Sequence, residues 1–342
     1  MLTVIHRLVI LGGVLLASMG LAAVVSTPVW SPFWIIRIVY DGATLVFPGA
    51  LLLSVALLAT RRVGRRDVAV AFGGAAALLA ARGYATHFEP SRVQIREIII
   101  TTPKVKRELR VLHLSDIQAA EVGDYERQVF RVAAELRPDL VIHTGDLVQP
   151  EDRSRFGVEW KKLSVLFERL PAPLGRVGVV GDTDGPLVAA LKDGGSSLRT
   201  LENEVIELEA GEGSRVRILG LGLRVARNPL ASRRMIEPFV HERPDALNFV
   251  IAHPPDFILQ STDLPIDLNL AGHTHGGQIR IPFFGPIVTL SAVPRDWALG
   301  YREVGATRLN VSAGIGAEHR AGLASIRVNC PPEVILIRFV PG

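Results

Sequence analysis

The sequence predicts an α/β domain preceded by an N-terminal transmembrane helical region. The chain is 48% hydrophobic with a mean hydropathy of +0.30, and its longest apolar segments lie near the N-terminus. From Ile95 onwards, short β-rich runs alternate with a helical pattern and are separated by Gly, Pro and Asp. Several of these runs are followed directly by an aspartate or a histidine.

Charge is distributed unevenly along the 342 residues. Residues 1–110 carry 13 Lys and Arg against 5 Asp and Glu, whereas the remainder carries 25 against 29. The dense basic run Arg61–Arg66 lies between apolar segments, where membrane topology explains it. We therefore expect no nucleic acid partner. The single cysteine, Cys330, excludes an intramolecular disulfide and a cysteine-rich metal site.

Two uncharged apolar segments are long enough to cross a bilayer. Leu8–Val25 and Gly42–Thr60 contain eighteen and nineteen residues, and at about 1.5 Å per residue each approaches the ~30 Å hydrocarbon thickness. A cleaved signal peptide is the alternative for the first segment. Val68–Ala81 is a weaker third candidate, because it contains only fourteen uncharged residues. The span would be longer if the Arg82 side chain extended its charged end to the membrane surface. Glycines in these segments would let partner transmembrane helices pack closely.

The arginine run also predicts the orientation, because short loops rich in Lys and Arg stay in the cytoplasm. With Arg61–Arg66 inside and three spans, the chain after residue 86 lies outside the cell. If Val68–Ala81 only dips into the bilayer, that part is cytoplasmic instead. The predicted protein is a multi-pass cell-membrane protein with a transmembrane region of two to three helices (1–86) and an extracytoplasmic domain (87–342).

The α/β domain opens with a strand and a β-α-β unit. Tyr125–Leu136 places apolar residues on one helical face, and Trp160–Leu170 reads as another helix. The predicted strands are Ile98–Thr101, Val111–Leu114, Leu140–His143, Arg176–Val180, Arg215–Leu219, Leu247–Ile251, Leu268–Leu270 and Val334–Phe339. Parallel strands in open α/β sheets gather ligands at their carboxyl ends. Residues that follow these strands are therefore the candidates for a site.

Six potential metal ligands follow apolar β runs: Asp116, Asp146, Asp182, His253, His273 and His275. Taken singly, an aspartate after a strand is more often a turn or cap residue. Together they offer carboxylates and imidazoles, which suit Mn, Fe or Zn better than Mg or Ca. A carboxylate oxygen shared by two such cations can hold them ~3.5 to 4 Å apart, the arrangement that clamps a phosphoryl group.

The order of these residues resembles that of the calcineurin-like metallophosphoesterases. The matching blocks are His113–Gln118, Thr144–Gln149, Val180–Asp184, Ala252–Asp256 and Ala271–Gln278. The last block, with its Gly-Gly-Gln extension, resembles the membrane-anchored YkuE-like branch of the family. The resemblance covers roughly residues 95–342, about three quarters of the chain. It implies a four-layer αββα sandwich with two divalent metal ions (Mn, Fe or Zn) at one edge.

The resemblance also implies a role for each ligand. It makes Asp146 the bridging ligand, with Asp116 and His275 on the first metal. It puts Asp182, His253 and His273 on the second metal.

Four positions depart from the family pattern. Gln118 replaces the histidine of the first motif and is a candidate metal ligand through its amide oxygen, a poorer donor to Zn or Fe than imidazole. Gln149 replaces the last acid of the second motif. Asp182 replaces an asparagine, and Thr183 replaces the histidine that usually protonates the leaving group. Threonine cannot supply a proton at neutral pH, and general acid help contributes ~10² to 10⁴-fold. Since the second metal keeps all its ligands, we expect the second site to be the more secure.

Neighbouring residues complete the candidate site. Asp184 and Asp256 are near enough in sequence to replace the missing proton donor, with a turn role as the alternative for both. Gly276 and Gly277 would allow a close backbone approach to substrate. His113 and His143 lie inside strands and are expected to be packed core residues.

Three functions remain open from the sequence. The first is a membrane-anchored, divalent-metal-dependent phosphoesterase that acts on a phosphodiester or pyrophosphate, including a lipid-borne one. The second is a metal-containing binding module with impaired catalysis. The third is a structural subunit whose transmembrane segments bind partner helices.

Overall fold

The computed structural model describes residues 41–42, 44, 48–49, 65–192, 197–317 and 325–342. The predicted span Leu8–Val25 lies outside the described residues, and so does most of Gly42–Thr60. The chain divides into two compact units, Met1–Phe88 and Glu89–Gly342.

One long apolar helix is described in the N-terminal part of the chain. Helix α1 (Arg65–Gly83) continues through a π-helical turn (Tyr84–Phe88) and a short helical segment (Glu89–Ser91). Within it, Val68–Ser91 is 24 residues long and apolar enough to cross a membrane by length and composition. The predicted third span, Val68–Ala81, is therefore part of a longer helix. The multi-pass arrangement and its orientation stay predictions.

The second unit contains fourteen strands among its described residues. They are β1 (Gln94–Thr102), β2 (Leu109–Leu114), β3 (Leu140–His143), β4 (Arg176–Gly178), β5 (Arg199–Thr200), β6 (Glu204–Glu209), β7 (Arg215–Gly220), β8 (Leu247–Ile251), β9 (Leu268–Ala271), β10 (Arg280–Ile281), β11 (Gly285–Pro286), β12 (Gly300–Val304), β13 (Thr307–Val311) and β14 (Glu333–Pro341). The helices are α2 (Asp124–Glu135), α3 (Phe156–Glu168), α4 (Val188–Lys192), α5 (Leu223–Ala226) and α6 (Pro229–Glu242).

The larger strands form two six-stranded mixed sheets. The first has the order β1-β14-β2-β3-β4-β5, and the second has the order β12-β13-β9-β8-β7-β6. Strands β2, β3 and β4 are parallel to one another, as are β7, β8 and β9. The carboxyl ends of each set therefore meet at one edge of their sheet. Strands β10 and β11 form a separate antiparallel hairpin.

Alternation along the strands produces a four-layer sandwich. Val111 and Phe249 belong to the apolar core that includes residues of both sheets. Their neighbours point to the outer faces: Leu112 packs in the cluster that contains α2 and α3, and Val250 in the cluster that contains α6. The edge-to-face contact between Phe130 of α2 and Phe167 of α3, with ring centroids 5.0 Å apart, joins two helices of the first outer layer. The predicted αββα fold class is confirmed.

Some elements were absent from the sequence prediction. Strands β6, β12 and β13 and helix α6 were not predicted. The hairpin turn between β12 and β13 at Gly305, where φ is +60°, is the local signal that would have located the last two strands. The strand predicted at Arg176–Val180 ends two residues earlier, at Gly178.

Candidate metal centre

The six predicted ligands lie in loops that follow parallel strands of both sheets. Asp116, Asp146 and Asp182 follow β2, β3 and β4, while His253 follows β8 and the remaining two histidines follow β9. Four of the six have positive φ: Asp116 (+47°), Asp146 (+62°), His273 (+68°) and His275 (+47°). Non-glycine residues seldom adopt this conformation, and those that do cluster at functional sites.

One group of donors consists of Asp182, His253 and His273. One ligand atom from each lies within 4.8 Å of the others. Nδ1 of His273 is 3.2 Å from Asp182 Oδ2, and Nε2 of His253 is 4.0 Å from the same oxygen. This is the set that the resemblance assigns to the second metal.

A second group consists of Asp116, Asp146 and His253, also within 4.8 Å of one another. Nε2 of His253 is 3.6 Å from Asp146 Oδ2, and Nε2 of His275 is 3.5 Å from Asp116 Oδ1. All six predicted ligands are therefore linked in one cluster, because His253 belongs to both groups and His275 contacts Asp116.

Two ligand histidines are oriented by backbone carbonyls. Nδ1 of His253 lies 2.8 Å from the carbonyl oxygen of Thr144, and Nε2 of His273 lies 3.2 Å from that of Leu290. Because a carbonyl can only accept, each of these nitrogens carries the proton, and the other ring nitrogen faces the carboxylates. Nε2 of His253 is buried without a hydrogen-bond partner among the described residues. A buried ring nitrogen that faces carboxylates and has no other partner is a position that a divalent cation would fill in place of a proton.

The charges of the cluster also favour a cation. Burial raises the pKa of Asp116 to about 6. Burial alone would lower the pKa of His253, but the carboxylates of Asp146, Asp116 and Asp182 raise it to about 9. Burial opposes ionisation of Asp182 as well, yet the hydrogen bond with His273 and the nearby cationic groups lower its pKa to about 2. Asp116 and Asp146 thus place carboxylates in a buried position, where negative charge is costly without a counter-ion, whereas the exposed Asp182 is paired with Arg227.

The two glutamines lie close to the ligands. Nε2 of Gln118 donates a 2.9 Å hydrogen bond to Asp146 Oδ2, so the amide contacts the predicted bridging carboxylate through its nitrogen. Gln149 follows β3 and lines the pocket next to Asp182.

The predicted replacements for the proton donor have other contacts. Asp184 is fully buried, and its two oxygens accept hydrogen bonds from the backbone N–H groups of Gly181, Asp146 and Leu147, all at 2.8 Å. Asp256 accepts from Ser291 Oγ (2.7 Å) and Ala292 N (2.8 Å). Both carboxylates therefore hold loops in place, and these contacts argue against either as the acid for a leaving group.

Thr183 lies at the edge of the cluster. Its backbone N–H donates to Asp146 Oδ1 at 2.9 Å, and the residue lines the same pocket as Gln149. The hydroxyl oxygen is buried without a hydrogen-bond partner in the part of the chain that is described.

The glycines that were expected to face substrate make close approaches to protein instead. A Cβ on Gly276 would lie 2.7 Å from Cys330 Sγ, and one on Gly277 would collide with Pro286. Both have positive φ, +62° and +82°. Their lack of a side chain permits this tight packing next to the ligand histidines, and their contact with substrate stays a prediction.

Two arginines were not predicted. Nη2 of Arg227, just after α5, donates to both oxygens of Asp182 at 2.8 and 2.7 Å. Arg153 lines a pocket of about 590 Å³ whose wall also includes Asp182 and Thr183, together with Phe156 and Pro186. Arg227 is 45 residues from Asp182 in sequence, so no spacing signal could have found it. Arg153 lies four residues after the block Thr144–Gln149, so its position in the sequence could have suggested a residue that binds a negatively charged substrate.

Comparisons with known proteins agree with this geometry. Residues 109–277, which contain all six predicted ligands, match the model of the family described as calcineurin-like phosphoesterase.

Three relatives show how much of the chain is shared. The metallophosphoesterase YkuE of Bacillus subtilis is 28% identical over 244 residues, covering 68% of this chain and 82% of YkuE. The phosphodiesterase YaeI of Escherichia coli is 25% identical, covering 81% of this chain and all of YaeI. The UDP-2,3-diacylglucosamine pyrophosphatase LpxG of Chlamydia trachomatis is 25% identical, covering 75% and 92%.

Proposed function

We propose that this chain, which carries a calcineurin-like metallophosphoesterase domain, hydrolyses a phosphodiester or pyrophosphate bond with the help of two divalent cations. The observation that supports it best is the meeting of six carboxylate and imidazole side chains at one edge, with Nε2 of His253 directed into both donor groups. Two relatives are named for hydrolysis of such bonds, a phosphodiesterase and a pyrophosphatase of a diacylated substrate.

The donor set fits Mn, Fe or Zn. Asp182, His253 and His273 would hold one ion, and Asp116 and His275 the other, with Asp146 between them. Such ions, when bound, supply positive charge to the phosphoryl group and lower the pKa of a water to near neutrality. Limited chelation should leave the ion that Asp182, His253 and His273 would hold, because each of these positions carries a ligand side chain, whereas Gln118 replaces a histidine at the other site.

Protein side chains determine how the substrate is oriented. Arg153 and the apolar walls formed by Phe156 and Pro186 provide a place for the organic group and a negative charge of the substrate. The guanidinium of Arg227 contacts Asp182 and adds positive charge beside the reacting phosphoryl group.

The experiment measures metal content and hydrolysis together in the full-length protein. Purified protein loaded with Mn, Zn or Fe should cleave bis(p-nitrophenyl) phosphate, and His253→Gln should lose at least about a hundredfold in kcat/KM together with bound metal. The matched control is His241→Gln, which changes an exposed imidazole on α6. Metal binding without hydrolysis of this ester or of a diphosphate diester would contradict the proposal.

That outcome would favour the alternative of a metal-containing binding module. The observation behind it is the loss of a proton donor at Thr183 while Asp184 is engaged by three backbone N–H groups. A module of this kind would bind a phosphorylated lipid or another phosphorylated partner without turning it over. We further propose that the protein is anchored in a membrane, for which the apolar helix Val68–Ser91 is the support.

A further inference from the structure

A hairpin that follows the ligand histidines projects apolar side chains into solvent. It runs from β10 through the turn Pro282–Phe284 to β11 and on to Leu290. Five of its large apolar residues are exposed: Ile281, Phe283, Phe284, Ile287 and Leu290. Phe283, at the tip, is fully exposed and has a φ of +66°. Clusters of exposed apolar side chains on folded proteins mark interaction sites.

The hairpin is fixed to the candidate metal centre. Pro286 packs so closely on Gly277 that a Cβ on the glycine would collide with it. The carbonyl oxygen of Leu290 accepts the hydrogen bond from His273 Nε2 at 3.2 Å. The apolar tip therefore has a defined place relative to a predicted ligand, His273.

Two arginines flank the hairpin, and the carboxylates at its C-terminal end have other partners: Asp256 accepts from Ser291 and Ala292, and Asp296 pairs with Arg302. Residues 276–295 contain two arginines, Arg280 and Arg295, and no aspartate or glutamate. The guanidinium of Arg295 lies over the Phe284 ring, 4.8 Å from its centroid. Nη1 of Arg280 donates to the Gly276 carbonyl at 2.8 Å. Neither guanidinium has a carboxylate within ion-pair distance among the described residues, so both remain available to an anionic group outside the protein.

This combination matches an anionic lipid surface. Aromatic and aliphatic tips bury themselves at the boundary between headgroups and acyl chains, and flanking arginines are attracted to anionic headgroups. The same chain also carries Val68–Ser91, a helix long and apolar enough to cross a membrane.

We propose that the hairpin of residues 280–290 inserts its apolar tip, Phe283 and Phe284, into the interfacial region of an anionic phospholipid bilayer. The proposal does not depend on the proposed hydrolysis, because it concerns binding alone. If the protein is a phosphoesterase, this contact brings the ligand edge to the level of lipid headgroups, so that a lipid-borne phosphate would reach it without leaving the membrane.

The test uses full-length protein reconstituted in vesicles of phosphatidylcholine with about 30% phosphatidylglycerol. An environment-sensitive fluorophore is attached to Ile281→Cys, and the matched control carries it at Val205→Cys, an exposed apolar position on β6. Brominated lipids should quench the probe at residue 281 about threefold or more beyond the control. Because Cys330 is buried, labelling of the unsubstituted protein is measured as the background.

Two further variants test the residues that carry the proposal. Adding Phe283→Asp and Phe284→Asp should reduce quenching at residue 281 to the control level, and Arg295→Gln should weaken its dependence on phosphatidylglycerol. Circular dichroism and Mn binding must remain as in the parent protein, which shows that the variants fold. Equal quenching at both probe positions, or quenching that survives the double substitution, would overturn the proposal. So would concentration-dependent crosslinking at residue 283 without lipid quenching, which would indicate a second copy of the chain.

Discussion

The carboxylate of Asp184 connects the loops after β3 and β4, because it accepts N–H groups from Gly181, Asp146 and Leu147. Burial and the charge of Asp146 raise its pKa to about 7. Asp184, which the sequence offered as a proton donor, therefore holds the backbone of Asp146 and thereby positions a predicted metal ligand.

Asp184→Asn should weaken metal binding and stability together. The amide keeps one acceptor oxygen but places an NH₂ group against a backbone donor, at a cost of about 1–3 kcal/mol in unfolding free energy. Affinity for Mn should fall about 10- to 100-fold. Denaturant unfolding and Mn titration measure the two effects, with Asp256→Asn as the control, since that carboxylate holds the Ser291–Ala292 loop instead. Unchanged affinity in Asp184→Asn would show that the loop keeps its shape without this carboxylate.

Thr183→His should restore a proton donor at the pocket wall. Because Thr183 lines the pocket beside Asp182, an imidazole there could protonate a leaving oxygen. Alkyl phosphodiesters, which need that proton, should be cleaved faster by up to ~10² to 10⁴-fold, whereas p-nitrophenyl esters should change little. Steady-state kcat/KM on both ester types checks this. Equal changes on the two types would mean that the imidazole acts through metal binding.

Strands β2 and β3 place two histidines in the buried part of the first sheet. His113 contacts Thr144 Oγ1 (2.9 Å) through Nε2 and accepts from Asn310 (3.0 Å) at Nδ1, and the His143 ring lies edge-to-face against Phe167. Burial lowers the pKa of each to about 3. The sequence expectation that both are packed in the core agrees with these contacts.

The two buried histidines of these strands should make the stability of the protein sensitive to acid. A neutral buried imidazole takes up its proton on unfolding, so below pH ~6.5 the unfolded chain binds more protons and stability is lost as the pH falls towards 3. Each histidine should cost about 2 kcal/mol between pH 7 and pH 5. Urea unfolding in detergent measures the loss of unfolding free energy between pH 7 and pH 5. This loss should be smaller by that amount in His143→Gln, whereas His241→Gln should show the same loss as the unsubstituted protein. If His143→Gln lost as much unfolding free energy between the two pH values as the unsubstituted protein, His143 would not contribute to the acid sensitivity.

The whole molecule joins a helix that can cross a membrane to a four-layer hydrolase domain. Helix α1 and its continuation reach Ser91, which gives the Val68 segment a length of 24 residues instead of fourteen. By length alone such a helix spans about 36 Å. This length suffices for a full crossing, and the prediction that the chain after residue 86 lies on the outer side requires in addition that Arg61–Arg66 stays in the cytoplasm.

Protease accessibility tests the orientation of the whole molecule. In intact cells or right-side-out vesicles, added protease should degrade the domain after residue 86 without detergent. A soluble cytoplasmic marker protein must survive in the same sample, which shows that the membrane is closed. Protection of the domain until detergent is added would place it in the cytoplasm.

The sequence by itself determined the fold class and the identity of the candidate ligands. Short continuous apolar runs, each followed by Asp116, Asp146 or another ligand, locate the strands and their functional ends, because these signals are local along the chain. Packing of one sheet on the other decided the rest. Contacts such as Arg227 with Asp182 join residues far apart in sequence, and the three backbone N–H groups around Asp184 exist only after two loops meet. Such interactions depend on the position of distant segments, which no local pattern encodes.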